Sequence, residues 1–312
     1  MKGNRTLRRF ELSGFTGEME QALSKCAELF SEEGSKLDSF QVEHSDISLP
    51  LIRRIMIGLT SGGSPLEHLS MSHIEFEDSC VREIFSFFEE KPEKFPRKLS
   101  LEHGIENFDD VCSILARLLM CQACSLEELT IPLLMPTEDE VIDIVTSLER
   151  NTTLKHLNID LTNLTMNGKD PILLLLCDTK NITATYNSNH TLGVLGRGIR
   201  DSKISSYLKL NNKYSDKQLV AAAKIIDAHF AHNFHLDNFD MMKSQLLTLL
   251  VSFVNRGFLF WNKALKVENK RGQKKEVTNN NLTINFLMVR NIPAFLKYVK
   301  PRWKRQKTCS GV

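Results

Sequence analysis

The sequence lacks any apolar run long enough to cross a membrane. Its greasiest stretch, Leu246 to Trp261, is shorter than the roughly 20 residues a spanning helix needs and carries Asn255 and Arg256 within it, so a buried helix is the better reading. The first residues, MKGNRTLRRFELSG, hold basic side chains but no apolar segment of signal-peptide length and no amphipathic transit pattern. A cytoplasmic protein is expected, with the nucleus as the alternative compartment. Also missing are G-x-G-x-x-G, a phosphate loop, G-x-S-x-G and H-E-x-x-H, the short motifs that mark dinucleotide sites, nucleotide hydrolysis, serine hydrolases and zinc proteases. The glycine-rich Ser61-Gly62-Gly63-Ser64 has no phosphate-binding lysine and reads as a turn. The expectation is a protein that is not an enzyme, with no catalytic residue, no cofactor and no metal.

A disulfide framework is not expected either. The seven cysteines, Cys26, Cys80, Cys112, Cys121, Cys124, Cys177 and Cys309, sit mostly among aliphatic neighbours in a chain without an export signal, and read as small reduced core residues. Cys121 and Cys124 form one C-x-x-C without a second to complete a zinc site. Sequons begin at Asn4, Asn151, Asn163, Asn181, Asn189 and Asn281, but their Asn and Thr suit turns better than glycans.

What is present is a repeat. The pattern apolar-x-x-apolar-x-apolar occurs as LRRFEL from Leu7, LDSFQV from Leu37, LEHLSM from Leu66, LEELTI from Leu126 and LKHLNI from Leu154, with a degenerate PRKLSL from Pro96 filling the gap. Successive starts are 29 or 30 residues apart, 28 for the last step, and a seventh copy is expected near Ile182. Each copy is followed by apolar residues at helical spacing: Met19, Leu23, Cys26, Leu29; Ile52, Ile55, Met56, Leu59; Val81, Ile84, Phe85, Phe88; Val111, Ile114, Leu115, Leu118; Val141, Ile142, Val145, Leu148. A short strand plus one helix cannot bury its apolar face alone, so neighbouring copies must stack into a continuous core.

This period and pattern resemble the ribonuclease-inhibitor-like class of leucine-rich repeats over roughly residues 5 to 195. The resemblance implies an α/β solenoid, a horseshoe with parallel strands on the concave face and helices on the convex one, whose members are mostly binding proteins and regulators. The stretch ILLLLCDTKNITATYNSNHTLGVLG, followed by Leu-Lys-Leu-Asn at 208 to 211, also resembles the terminal repeat of leucine-rich-repeat proteins common in diatoms. In that group a Lys-Ile-Ile-type helix and a Pro-containing helix follow, as at Lys224 to Ile226 and Asn291 to Phe295 here. That second resemblance implies architecture and no activity. The chain opens directly in a repeat, leaving Leu7 to Phe15 as an exposed edge, the start of a truncated array or a surface that a partner covers.

In such a strand the x positions face outward. The expected partner-binding face therefore contains Arg9 and Glu11; Gln41 and Glu43; His68 and Ser70; Lys98, Ser100 and Glu102; Glu128 and Thr130; and His156, Asn158 and Asp160. The full outward set is mixed in charge and holds no aromatic residue, which excludes a greasy anchor and fits a charge-steered partner or simple solvation.

Residues 1–195 are read as the repeat domain and 196–312 as an α-helical C-terminal cap with helices near Asp216 to His232, Asp237 to Trp261 and Leu282 to Val299. His229, His232 and His235, with Asp237 and Asp240 nearby, have the residue types of a metal site but read as a polar helix end. Residues 261 to 312 carry thirteen Lys or Arg against Glu268 and Glu276, a net +11 that leaves about −9 for the rest. The expected function is a non-catalytic scaffold holding an unidentified protein. The alternative is nucleic-acid or anionic-surface association through the basic loop and the tail residues Lys300, Arg302, Trp303, Lys304, Arg305 and Lys307.

Overall fold

Every one of the six repeat motifs becomes a strand. The computed structural model describes residues 7–13, 23–25, 27, 37–61, 66–76, 79–102 and 110–230. Strands β1 (Arg9–Ser13), β2 (Ser39–Ile47), β3 (His68–Phe76), β4 (Lys98–Glu102), β5 (Glu128–Thr130), β6 (His156–Asp160) and β7 (Val194–Arg197) pair in sequence order, all parallel, in one seven-stranded sheet. Between them run α1 (Leu49–Ser61), α2 (Ser79–Glu90), α3 (Val111–Met120), α4 (Glu138–Leu148) and α5 (Met166–Leu176), each helix packed on the next. The result is a repeat-like α/β fold with a parallel sheet.

The register explains why the apolar pattern is kept. Phe40, Leu69, Leu99, Leu129 and Leu157 are aligned across β2 to β6, as are Val42, Met71 and Leu101, and all are buried. A one-residue slip would turn each of these rows to solvent. The degenerate copy holds its place through Phe95, which packs against Phe88 with ring centroids 4.5 Å apart and against Phe85 at 6.2 Å. Farther along, Val141, Ile144 and Val145 of α4, Leu157 and Ile159 of β6 and Ile172 of α5 surround one apolar interior. Helix α4 starts where its sequence says it should: the Thr137 hydroxyl accepts from the Glu140 amide while the Glu140 carboxylate accepts from the Thr137 amide at 2.7 Å, a capping box.

Close packing also fixes Gly58 in α1, where an added Cβ would stand 2.4 Å from the carbonyl oxygen of Ala27. Gly58→Ala should gain helix propensity of about 1 kcal/mol yet lose about 1–3 kcal/mol to overpacking. A net fall in the thermal midpoint is expected; an unchanged or higher midpoint would show that the two segments do not meet so tightly.

The seventh strand departs from the expected rhythm. Ile182 opens a helix, α6 (Ile182–Asn187), because the Asn181 side chain caps it by accepting from the Ala184 amide at 2.9 Å; β7 comes only at Val194. Two further helices follow, α7 (Ser202–Lys213) and α8 (Lys217–Phe230). By contact, Met1–Leu176 with Asn189–Asn212 make one compact unit, which contains the whole sheet, and Cys177–Ser188 with Lys213–Val312 make a second.

Candidate binding face and a buried polar cluster

The outward residues of the sheet fall into rows that cross the strands. Just before the strands, Arg97 bridges Glu67 at 3.2 Å and Glu127, Lys155 meets the other oxygen of Glu127 at 2.5 Å, and Arg8 meets Asp38 at 3.3 Å. In the next row Lys98 pairs with Glu128 at 2.9 Å, with the His156 ring 3.8 Å from the same carboxylate. Arg9 reaches both Glu11 and the Gln41 side-chain oxygen at 3.0 Å, and the Gln41 amide nitrogen lies 2.8 Å from His68 Nδ1. Lys155 foremost, with Arg97, holds the Glu127 carboxyl below its usual range. Burial, then Lys98 and Arg9, holds the His68 imidazole below its usual pKa, so it is uncharged at neutral pH.

These charges thus answer one another, and each exposed pair contributes about 1 kcal/mol or less. Beyond these rows, from β2 to β6, lies a run without formal charge: Gln41, Ser70, Ser100, Thr130 and Asn158 are aligned in register and all half-buried, and Glu11 stands beside Gln41 at its β1 end. On its far side lie Glu43, Ser72 and Glu102, with Ser100 donating to Glu102 at 2.9 Å. Asp160 does not join that acidic side as an open charge. It accepts from the Thr162 hydroxyl at 2.6 Å and amide at 2.9 Å and from Arg197 at 3.0 Å, and these bonds, Thr162 first, hold its carboxyl below the ordinary range.

Two surface residues were passed over in the sequence. His44 and His73 both take left-handed backbone conformations, with φ of 54° and 53°, and their rings stack at 4.6 Å and 5°. The signal was available: each stands two residues after the last apolar position of its motif, as does His103, which lies outside the described residues.

Buried asparagines tie the later repeats together. Asn151 donates to Leu119 O at 2.9 Å and its side-chain oxygen accepts from the amides of Thr153 and Leu154. Asn189, 4 % exposed, donates to Leu148 O at 2.8 Å and Asn151 O at 3.1 Å and accepts from the amides of Thr191 and Leu192. Asn211 of α7 donates to Leu192 O at 2.6 Å, and Asn212 to Gly193 O at 2.8 Å. Three sequon asparagines, Asn151, Asn181 and Asn189, therefore have their side chains committed to the fold.

The second unit holds a different constellation. From Val220 to Ile226 every residue of α8 is buried, including Lys224, which is 0 % exposed. Burial pulls its ammonium down to about 7; Lys217 adds to the depression, and the buried Cys177 works against it. Helix α6 packs on α8, where Thr185 Oγ1 lies 2.7 Å from His229 Nε2 and the Thr185 hydroxyl donates to Asp178 O at 2.6 Å. Burial also holds the His229 imidazole below its usual pKa, against Asp178. His232 and His235, the two later helical segments and the tail from Lys300 to Lys307 lie outside the described residues.

Elsewhere the thiols are quiet. Burial pushes Cys124 up to about 11 and Cys112 up to about 12, the latter helped by Glu140, so both stay protonated at neutral pH. Among the described residues no group of three or more His, Cys, Asp or Glu could hold a metal ion, and no helix is long and apolar enough to cross a membrane. No protein-family model matches the chain, and no curated protein is significantly similar to it.

Proposed function

We propose that the chain is a ribonuclease-inhibitor-like leucine-rich-repeat solenoid, a horseshoe with a helical C-terminal cap over residues 196–312, that holds a protein partner on the outward face of its sheet and carries out no catalysis. The observation that carries this reading is the run of Gln41, Ser70, Ser100, Thr130 and Asn158, uncharged from β2 to β6, beside rows whose charges answer one another. Short hydroxyl and amide side chains leave room there for a partner's atoms and offer both donors and acceptors to it. The flanking charges steer approach and set specificity more than they add affinity.

The test is capture from native lysate with wild type, with Ser100→Arg/Thr130→Arg, and with a chain ending at Val299, each at low and high salt. A protein retained by wild type and by the shortened chain, and recovered at least about tenfold less by the double variant, supports the reading; a buried mismatch of about 1.4 kcal/mol suffices for that factor. Equal capture by the double variant would remove the sheet face from consideration. Salt-sensitive recovery of nucleic acid that vanishes with the tail would place the function on Lys300 to Lys307 instead.

A further inference from the structure

A strand at the edge of a sheet presents backbone donors and acceptors that a protein must cover, twist away or use. Among the described residues β1 pairs with β2 alone, so its other side is an edge of the sheet. The Arg8 carbonyl accepts from the Ser39 amide of β2 at 3.0 Å. Backbone groups alternate in direction along a strand, so Phe10 and Leu12 also turn theirs towards β2, while the N–H and C=O of Arg9, Glu11 and Ser13 point to the open side. The interior side of β1 is incompletely covered as well. Phe10 stacks on Phe40 with ring centroids 5.5 Å apart and planes 8° apart, yet Phe10 and Leu12 are only half-buried where the aligned Phe40 and Val42 are 0 % exposed.

We propose that β1 is a homodimer edge, paired antiparallel with β1 of a second copy of this chain about a two-fold axis at Phe10. The charges of the strand select both the occupant and the register. Residues that share antiparallel backbone bonds must both point to the open side, which limits the pairing to registers that match Arg9, Glu11 and Ser13 among themselves or with Leu7. Centring on Phe10 sets Arg9 opposite Glu11 of the second copy and, by symmetry, Glu11 opposite its Arg9. Centring on Arg9 or on Glu11 instead sets like charges face to face, which is unfavourable.

The Phe10 register therefore satisfies the open backbone groups of Arg9 and Glu11, forms reciprocal ion pairs on the outward face and places Phe10 against Phe10 on the interior side. Arg9 already reaches Glu11 of its own strand at 3.0 Å, so pairing closes a ring of charges that alternate in sign. Because Arg9 and Glu11 belong to the outward face in both copies, the two outward faces lie on the same side of one continuous sheet. This pairing does not depend on what that face holds.

The full chain is followed by sedimentation velocity at up to about 100 μM, since one strand pair is a small interface and dissociation in the micromolar range is expected. Wild type should pass from monomer to dimer. Arg9→Glu and Glu11→Arg each place like charges opposite one another and should weaken dimerisation by about tenfold or more. The double reversal Arg9→Glu/Glu11→Arg puts opposite charges back across the axis and should recover wild-type association. Both side chains are exposed in β1, and recovery by the double variant separates lost pairing from lost folding. A monomer at every concentration, a dimer that either single reversal leaves intact, or a double reversal that does not recover overturns the proposal.

Discussion

Asn189→Ala is expected to lower the thermal midpoint of the protein by about 6–12 °C. The side chain is 4 % exposed and makes four hydrogen bonds, two given to the carbonyls of Leu148 and Asn151 and two taken from the amides of Thr191 and Leu192. Alanine leaves all four backbone groups without that partner in an interior that admits little water. Stranding buried polar groups costs about 1–3 kcal/mol each, and a total of about 3 kcal/mol allows for partial relaxation. For a unit of this size each kcal/mol moves the midpoint by about 2–4 °C. Asn163→Ala is the control, since Asn163 is exposed and belongs to a sequon too; it should stay within about 0.5 kcal/mol of wild type. Differential scanning calorimetry of both variants decides the matter, and matching midpoints for the two would refute the role given to Asn189.

The second large effect concerns Lys224. Lys224→Met is expected to stabilise the protein, and to do so most below pH 7. The lysine's folded pKa, about 7, lies below its ordinary 10.5. A group whose folded pKa is depressed in this sense binds its proton more readily unfolded, so stability rises with pH between the two values. The penalty is fully present below about pH 7 and relieved towards pH 10. Its size there is on the order of 5 kcal/mol at 1.36 kcal/mol per unit, at the upper end of the 1–4 kcal/mol gained elsewhere when buried ion pairs are replaced by apolar residues. Urea unfolding of wild type and variant at pH 6 and pH 9 reads it directly. The gap should shrink by about half at the higher pH; a gap of constant size would mean that packing, not the charge, separates them. His229 works in the same direction at lower pH, because its folded pKa is also depressed.

Much of the sheet could be read in advance because a parallel strand buried on one face writes its period into the sequence. The motifs at Leu37, Leu66, Leu126 and Leu154 became strands in the order and register their spacing implies. PRKLSL was weaker because the buried Pro96 stands where the other copies have leucine; Phe95 just before it is 0 % exposed. The misplacement near Ile182 has a different origin. Asn181 can serve a turn or a helix cap, and only its bond to Ala184 settles which. Helix α7 escaped notice because its inward residues are Ile204, Tyr207 and the polar Asn211. A side chain buried for its amide does not register in an apolar pattern.

The candidate site was legible to a similar depth. Outward positions could be named from the alternation, but not how the charges among them pair, since every partner lies about one repeat away in the chain. Lys224 carried a visible signal, a lone lysine within AAAKII, and its meaning emerged only once α8 proved to be buried on all sides there.

The ionic row before the strands also bears on how such an array can change its length. Glu67, Arg97, Glu127 and Lys155 alternate in sign from one unit to the next. Excising the single unit that carries Arg97 would set Glu67 beside Glu127, whereas excising two would set Glu67 beside Lys155 and restore attraction. Each mismatch is small at an exposed site, about 1 kcal/mol or less, but it has a consistent sense. Loss or duplication of units in pairs is tolerated better than in ones, so parity is a property this stretch of the chain would pass on to its descendants.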